Sequence, residues 1–432
     1  MNQSAVEMDQ AHTASQSSVV KFLLTLLILT PLIYSNDGDN YRAYKVVIVG
    51  MLFLLIATPK LHRLALWVRS GTAYVLAIAL LIAIQPAFVD GAEILYNLNF
   101  LVALLSCFLP TLYLSNCQPA RARAGIAFVH KPLGFLFGIS VISLLVSAFT
   151  GVGEVYTQDG ELQIRAFAWL GDSFSPVMVF FLYYYAFGRK AIGVLLAAGC
   201  IVTVMQAKMA ILMAVLGYLV YLLLFGRWKT RLFLTAVIAL SVLVLPAMFE
   251  MVVGIIPNFE HSLNNRLLSF DAGWTYFWSS PWFGVGANQT FTLLSKNFDV
   301  TTLFRFDKDL PYYEFFQIQN SFLRILAELG LIGFLLFIAF CAVIVRRSYA
   351  VLVSAHALPP GNSRTLSMAC ALWLISFVLF YQTTGWFEPG HPQLMWLICF
   401  LTLMNFYIRA QSGHKTTENK PGAMLPAATQ RV

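Results

Sequence analysis

Four basic residues, Arg165, Lys208, Arg266 and Arg305, lie in polar stretches of a chain that is otherwise poor in charge. Arginine grips phosphate through two parallel N–H groups and lysine acts as a point charge, so residues of this kind suit an anionic ligand. Groups able to carry a proton are scattered among the same stretches: His261, Asp271, Glu314, Glu388 and His391. Either histidine reads more readily as a solvated loop residue, and Gln319, which stands close by in sequence, offers hydrogen bonds but cannot act as a base. No group of histidine, cysteine and carboxylate has the spacing of a metal site, so no metal is expected.

Two motifs surround these residues. Leu267, Phe270, Trp274, Phe277 and Trp278 recur at helical spacing, which predicts a short helix that lays an aromatic face on a membrane surface, stopped by Pro281. Gly284 and Gly286 permit a tight turn whose backbone N–H groups can approach a ligand, and Arg266 at the start of this element faces the external space. Further on, Asn320 or Ser321 is a suitable N-cap for an apolar helix, whose unpaired N–H groups suit a phosphate. Arg324 and Glu328 are four apart and hence on one face, either as a structural ion pair or with a direct catalytic role.

The elements that position these residues are read from composition. The chain has 432 residues, 59% of them apolar and only 11% charged, which excludes a water-soluble enzyme. At about 20 residues per helical span, the apolar runs predict an all-α membrane protein with about twelve transmembrane helices. Their approximate limits are 20–35, 44–59, 71–89, 94–115, 125–150, 174–188, 190–206, 209–226, 232–253, 321–345, 365–383 and 393–409. Residues 1–19 and 410–432 read as disordered tails around a membrane domain at 20–409, and 254–320 as one large loop between spans 9 and 10. Six cysteines, five of them inside apolar runs, read as packing residues.

Alternating the loops divides the charge. One side receives 19 of the 28 basic residues against Glu7, Asp9 and Glu418, whereas the other receives 8 against 16 acids. By the positive-inside rule the basic side is cytoplasmic, which places both termini there and the long loop outside. The net charge of +8 is thus a topology signal and gives no ground for expecting nucleic acid.

The arginine, tryptophan and Pro281-to-Gly286 run, followed by Asn320 through Gly330 and Gly333, resembles the bacterial O-antigen ligase and O-antigen polymerase superfamily. Arg165 through Phe174 is similar to that family's segment before the sixth span, and Lys208 stands where members commonly place an arginine. The resemblance covers roughly residues 150–345. It implies a GT-C-like glycosyltransferase of the bacterial inner membrane, with the long loop in the periplasm. Such enzymes need no cofactor and move a glycan from undecaprenyl pyrophosphate to a lipid-linked glycan or to lipid A core, in some systems beside a chain-length regulator. It also implies pyrophosphate binding by Arg165, Lys208, Arg266 and Arg305. Family ligases carry an acceptor-activating histidine where this chain has Gln319, which favours a polymerase and leaves Glu314 or His391 to supply any base. A ligase is the near alternative. A transporter or flippase of a lipid-linked glycan is the alternative from another class, although the polar residues concentrate outside the bilayer midplane where transporters place theirs.

Overall fold

The computed structural model describes residues 72–89, 119–150, 154–158, 161–165, 175–201, 208–237, 259–287, 289, 290, 293, 318, 320–380 and 392–418, with Lys21, Phe22, Leu24, Thr25, Ile28 and Leu29. The expected spans at 44–59 and 94–115 lie outside the described residues, as do Arg305, Glu314, Gln319 and His391.

The helices of the described residues include α1 (Thr72–Ile84), α2 (Pro119–Thr150), α3 (Ser175–Phe187), α4 (Ala191–Gly199), α5 (Lys208–Phe225), α6 (Phe259–Ser279), α7 (Ser321–His356), α8 (Asn362–Phe380) and α9 (Pro392–Glu418). Among the described residues, three segments are long and apolar enough to cross a membrane: Ala122–Val146, Ser321–His356 and Asn362–Phe380. Four shorter apolar helices accompany them. Several helices outrun the apolar runs that announced them. Arg121 and Arg123 begin α2, Arg346 and Arg347 lie inside α7, and Arg409 lies inside α9. Charge ends the hydrophobic signal but not the backbone hydrogen-bond ladder, so hydropathy reports the apolar stretch and not the helix.

The bundle is built around α8. A helix apolar on all sides belongs at the centre, and Leu366 through Val378 are buried without interruption. This helix packs against α3, α5, α7 and α9. The indole of Trp373 donates to the Pro176 carbonyl at 2.5 Å, and its ring stacks on Phe377 and meets Phe400 of α9. Tyr183 of α3 donates to the Met213 carbonyl of α5 at 2.9 Å, giving its hydroxyl a partner where no water reaches. Leu80, Ile142, Ile192 and Leu195 project outward from the bundle, as suits side chains bathed in lipid.

The described residues are overwhelmingly helical, in keeping with the all-α reading, with one short hairpin as an addition to it. Strands β1 (Glu154–Gln158) and β2 (Glu161–Arg165) form an antiparallel hairpin in the segment between α2 and α3, with Glu154 opposite Arg165 and Gln158 opposite Glu161. The sequence between the strands, Asp159-Gly160, is a pair favoured in tight hairpins. Valine, threonine, leucine and isoleucine on its flanks fit a pleated strand better than a helix.

Cations collect at one end of the bundle: Arg123 at the start of α2, Arg189 and Lys190 between α3 and α4, and Arg364 at the start of α8. The hairpin and the start of α7 belong to the opposite ends of the helices they adjoin.

Candidate functional site

The site grows from a break in a helix. At Gly330 the backbone of α7 turns to φ 64° and ψ −169°, so the regular ladder fails there. An unbroken helix would join the Leu331 and Ile332 N–H groups to the carbonyls of Ala327 and Glu328. Instead Leu331 donates to Pro281 (2.8 Å) and Ile332 to Trp282 (3.4 Å). The two orphaned carbonyls are taken by the N–H groups of Val285 (2.9 Å) and Gly286 (3.1 Å). Residues 281–286 thus form a strap that replaces both lost hydrogen bonds from both sides, leaving none of the four groups unpaired inside an apolar bundle.

Close approach makes two glycines obligatory. Gly284 has φ +73°, and a Cβ built there would stand 2.3 Å from the Glu328 carbonyl carbon. A Cβ on Gly330 would stand 2.4 Å from the Trp282 carbonyl carbon. Each glycine therefore makes room for the other's segment. This corrects the expectation that the Gly284 and Gly286 turn offers its N–H groups to a ligand. Gly284 donates to Ser280 at 2.8 Å and Gly286 to Glu328, so these donors are already used.

A second lock comes from α1. Gln85, fully buried just past the end of that helix, donates through Nε2 to the carbonyls of Phe283 (2.6 Å) and Glu328 (2.7 Å). Its Oε1 accepts from the Ala287 N–H at 3.1 Å, and Phe88 stacks on Phe283 at 5.0 Å. Sequence reading missed Gln85; its signal was a lone glutamine before proline within an apolar run.

Inside this frame Arg324 and Glu328 pair as the spacing predicts. The Nε–Oε1 distance is 2.9 Å and both side chains are 5% exposed. Thr290, a second residue that spacing did not reveal, donates its hydroxyl to the same carboxylate oxygen at 2.5 Å. Two charges removed from water are tolerable only when each is paired and hydrogen-bonded, a condition that this cluster meets. The carboxylate serves as an acceptor in that cluster, which suits a structural role and not that of a mobile base.

Asn320 caps α7 as expected, its Oδ1 accepting from the Leu323 N–H at 3.0 Å. Alongside lies α6, whose Ala272 and Tyr276 pack with Ile318, Leu323 and Ala327. The helix is longer than the short element foreseen and ends two residues before Pro281. Phe270, Trp274 and Trp278 form an exposed aromatic stripe, but Phe277 is turned into the core, so the apolar face is narrower than its spacing suggests.

The pairing of α6 with α7 fixes where the backbone of residue 266 lies. Gly273 approaches Leu323, while 281–284 approach 328–330, so the two helices run in the same direction. Residue 266 is seven positions before Gly273, on the same helical stripe and about 10 Å along the axis. Since α7 begins at Ser321, only two residues before Leu323, α6 carries residue 266 beyond the Asn320 cap. Arg165 is the last residue of β2 and Lys208 the first of α5. Arg305, Glu314, Gln319 and His391 have no described position.

Residues 191–338, about a third of the chain, match the O-antigen ligase family. The matched stretch runs from the start of α4 into α7 and contains α5, α6, the strap and the break at Gly330. No curated protein matches the chain.

Proposed function

We propose that this protein, whose residues 191–338 match the O-antigen ligase family, transfers a glycan from undecaprenyl pyrophosphate to an acceptor sugar at the outer face of the bacterial inner membrane, acting as a polymerase. The observation that carries this reading is the strap locked into the broken α7, which lies within the matched region and holds α6 so that residue 266 overhangs the capped start of α7.

Cleaving the bond between sugar and pyrophosphate places further negative charge on an anionic leaving group. Arg266 binds that pyrophosphate, with Arg165, Lys208 and Arg305 assisting. Cations fixed in advance stabilise the developing charge without the reorganisation that water would require. The guanidinium of Arg324 does not serve this purpose, because Glu328 already neutralises it. Gln319, next to the cap, orients donor or acceptor through its amide, and Glu314 or His391 removes the acceptor proton if a base takes part.

The name of the matched family favours a second reading, a ligase that delivers glycan to lipid A core. Reconstitution with an undecaprenyl-linked repeat unit, with and without lipid A core, separates the two. A ladder of lipid-linked polymer without the core acceptor supports the polymerase. Glycan joined only to lipid A core returns the chain to the ligases, and movement of lipid-linked glycan across the bilayer without transfer makes it a transporter.

A further inference from the structure

At the basic end of the bundle, two adjoining cavities open between the start of α2, the α3–α4 turn and the α7–α8 connection. The larger, about 340 Å³, is lined by Arg189, Lys190, Arg364, Tyr218 and Tyr221, together with Asn362, the first residue of α8. The second, about 330 Å³, shares Asn362 and adds Arg123 and His130. Tyr184 and His130 stand between them, joined by a 2.7 Å hydrogen bond. These volumes are in the range of small-molecule sites.

The cations here are not consumed as others in the molecule are. Arg231 spends its guanidinium on the carbonyls of Leu224 and Gly226 that end α5. Arg324 is paired with Glu328. Arg364, in contrast, gives one Nη2 bond to the His356 carbonyl, at 3.3 Å, while its buried Nε has no hydrogen-bond partner among the described residues. Among the described residues no carboxylate pairs with Arg123, Arg189, Lys190 or Arg364. Like charges gathered about a cavity repel one another, and an anion between them relieves that repulsion. The start of α8 adds backbone N–H groups of the kind that favour phosphate.

We propose that this pair of cavities binds a phosphate group, supplied by an anionic phospholipid of the leaflet at the basic end. Phosphate is the shared chemistry of a lipid headgroup and of the free ion. The surroundings favour the lipid: tyrosines 218 and 221 form an amphipathic wall, and Trp228, Leu232 and Phe233, just past the end of α5, project outward from the protein. Basic pockets between spanning helices are a recurrent way of holding such headgroups. Bound there, the lipid joins three connections that are distant in sequence and steadies the end of the bundle opposite the strap. The site is independent of the glycan-transfer reading.

The test uses the full chain, stripped of lipid in a neutral detergent and titrated with phosphatidylglycerol, with phosphatidylcholine of the same acyl chains, and with inorganic phosphate. Bound lipid is counted by native mass spectrometry. Removing two charges by Arg189→Asn and Lys190→Gln should weaken phosphatidylglycerol about twenty-five-fold, at roughly fivefold for each cation near a membrane surface. Asparagine is chosen because Arg189 has φ 55°, which asparagine tolerates. Should the double variant not fold, Arg364→Gln carries the same direction of change. Lys229→Gln, on the same end but outside the cavities, should bind as the parent does. Equal affinity for the two lipids, or undiminished binding in the variants, would overturn the proposal. Capture of inorganic phosphate without phosphatidylglycerol would overturn the lipid as its source.

Discussion

The strap end and the basic end of this bundle use charge in opposite ways. At the strap end every displaced backbone group of α7 has found a partner, and the buried arginine and glutamate answer each other. At the basic end the cations surround open space, and among the described residues no carboxylate meets them. A closed network cannot also hold a ligand, so the strap is a rigid frame and the reacting anion must be met by residues that the frame carries. An open cluster, by contrast, awaits its counter-ion.

The contrast can be broken most severely at the ion pair. Arg324→Ala leaves the Glu328 carboxylate buried without its cation, and should cost about 3–5 kcal/mol by denaturant or thermal unfolding in detergent. Replacing both residues by apolar ones of similar volume should recover most of that loss. Recovery would show that the pair's effect on stability lies in its completeness and not in its charge.

Next in size is the helix break. Gly330→Ala forces a left-handed backbone on a side chain and drives its Cβ into the Trp282 carbonyl, so a loss of about 3 kcal/mol is expected. Gly134→Ala in α2, where an added Cβ meets nothing within 4 Å, should instead be neutral or slightly stabilising. Parallel melting curves of the two variants check the difference.

Smaller still is the second lock. Gln85→Leu keeps the volume near that of glutamine but leaves the buried Ala287 N–H and Phe283 carbonyl without their partner, which should cost about 2 kcal/mol. Arg231→Gln marks the lower end: its arginine is exposed and bonds only to helix-end carbonyls, so the melting temperature should hardly move.

Local features of the site were legible from spacing alone. The Asn320 cap, the Arg324–Glu328 pair and the halt of α6 before Pro281 depend on neighbours within a few residues. The exchange of backbone hydrogen bonds between 281–286 and 327–332 was not, because it joins segments more than forty residues apart and both helix and strap have ordinary local signals. Gln85 reaches its partners across some two hundred residues, and nothing in its own neighbourhood names them. The β-hairpin is a different case. The Asp159-Gly160 pair and the flanking alternation were present in the sequence, but a chain read for apolar runs of span length passes over strands of five residues.

The central claim is that the strap and the broken helix hold α6 so that Arg266 meets the pyrophosphate of a lipid-linked glycan. Its most direct test is glycan transfer by Arg266→Ala, reconstituted beside the parent at matched protein level and matched melting temperature. A loss of about a hundredfold in transfer is predicted, the scale of removing one donor from a preorganised charged site, with only partial recovery in Arg266→Lys. Full transfer by Arg266→Ala would contradict the account.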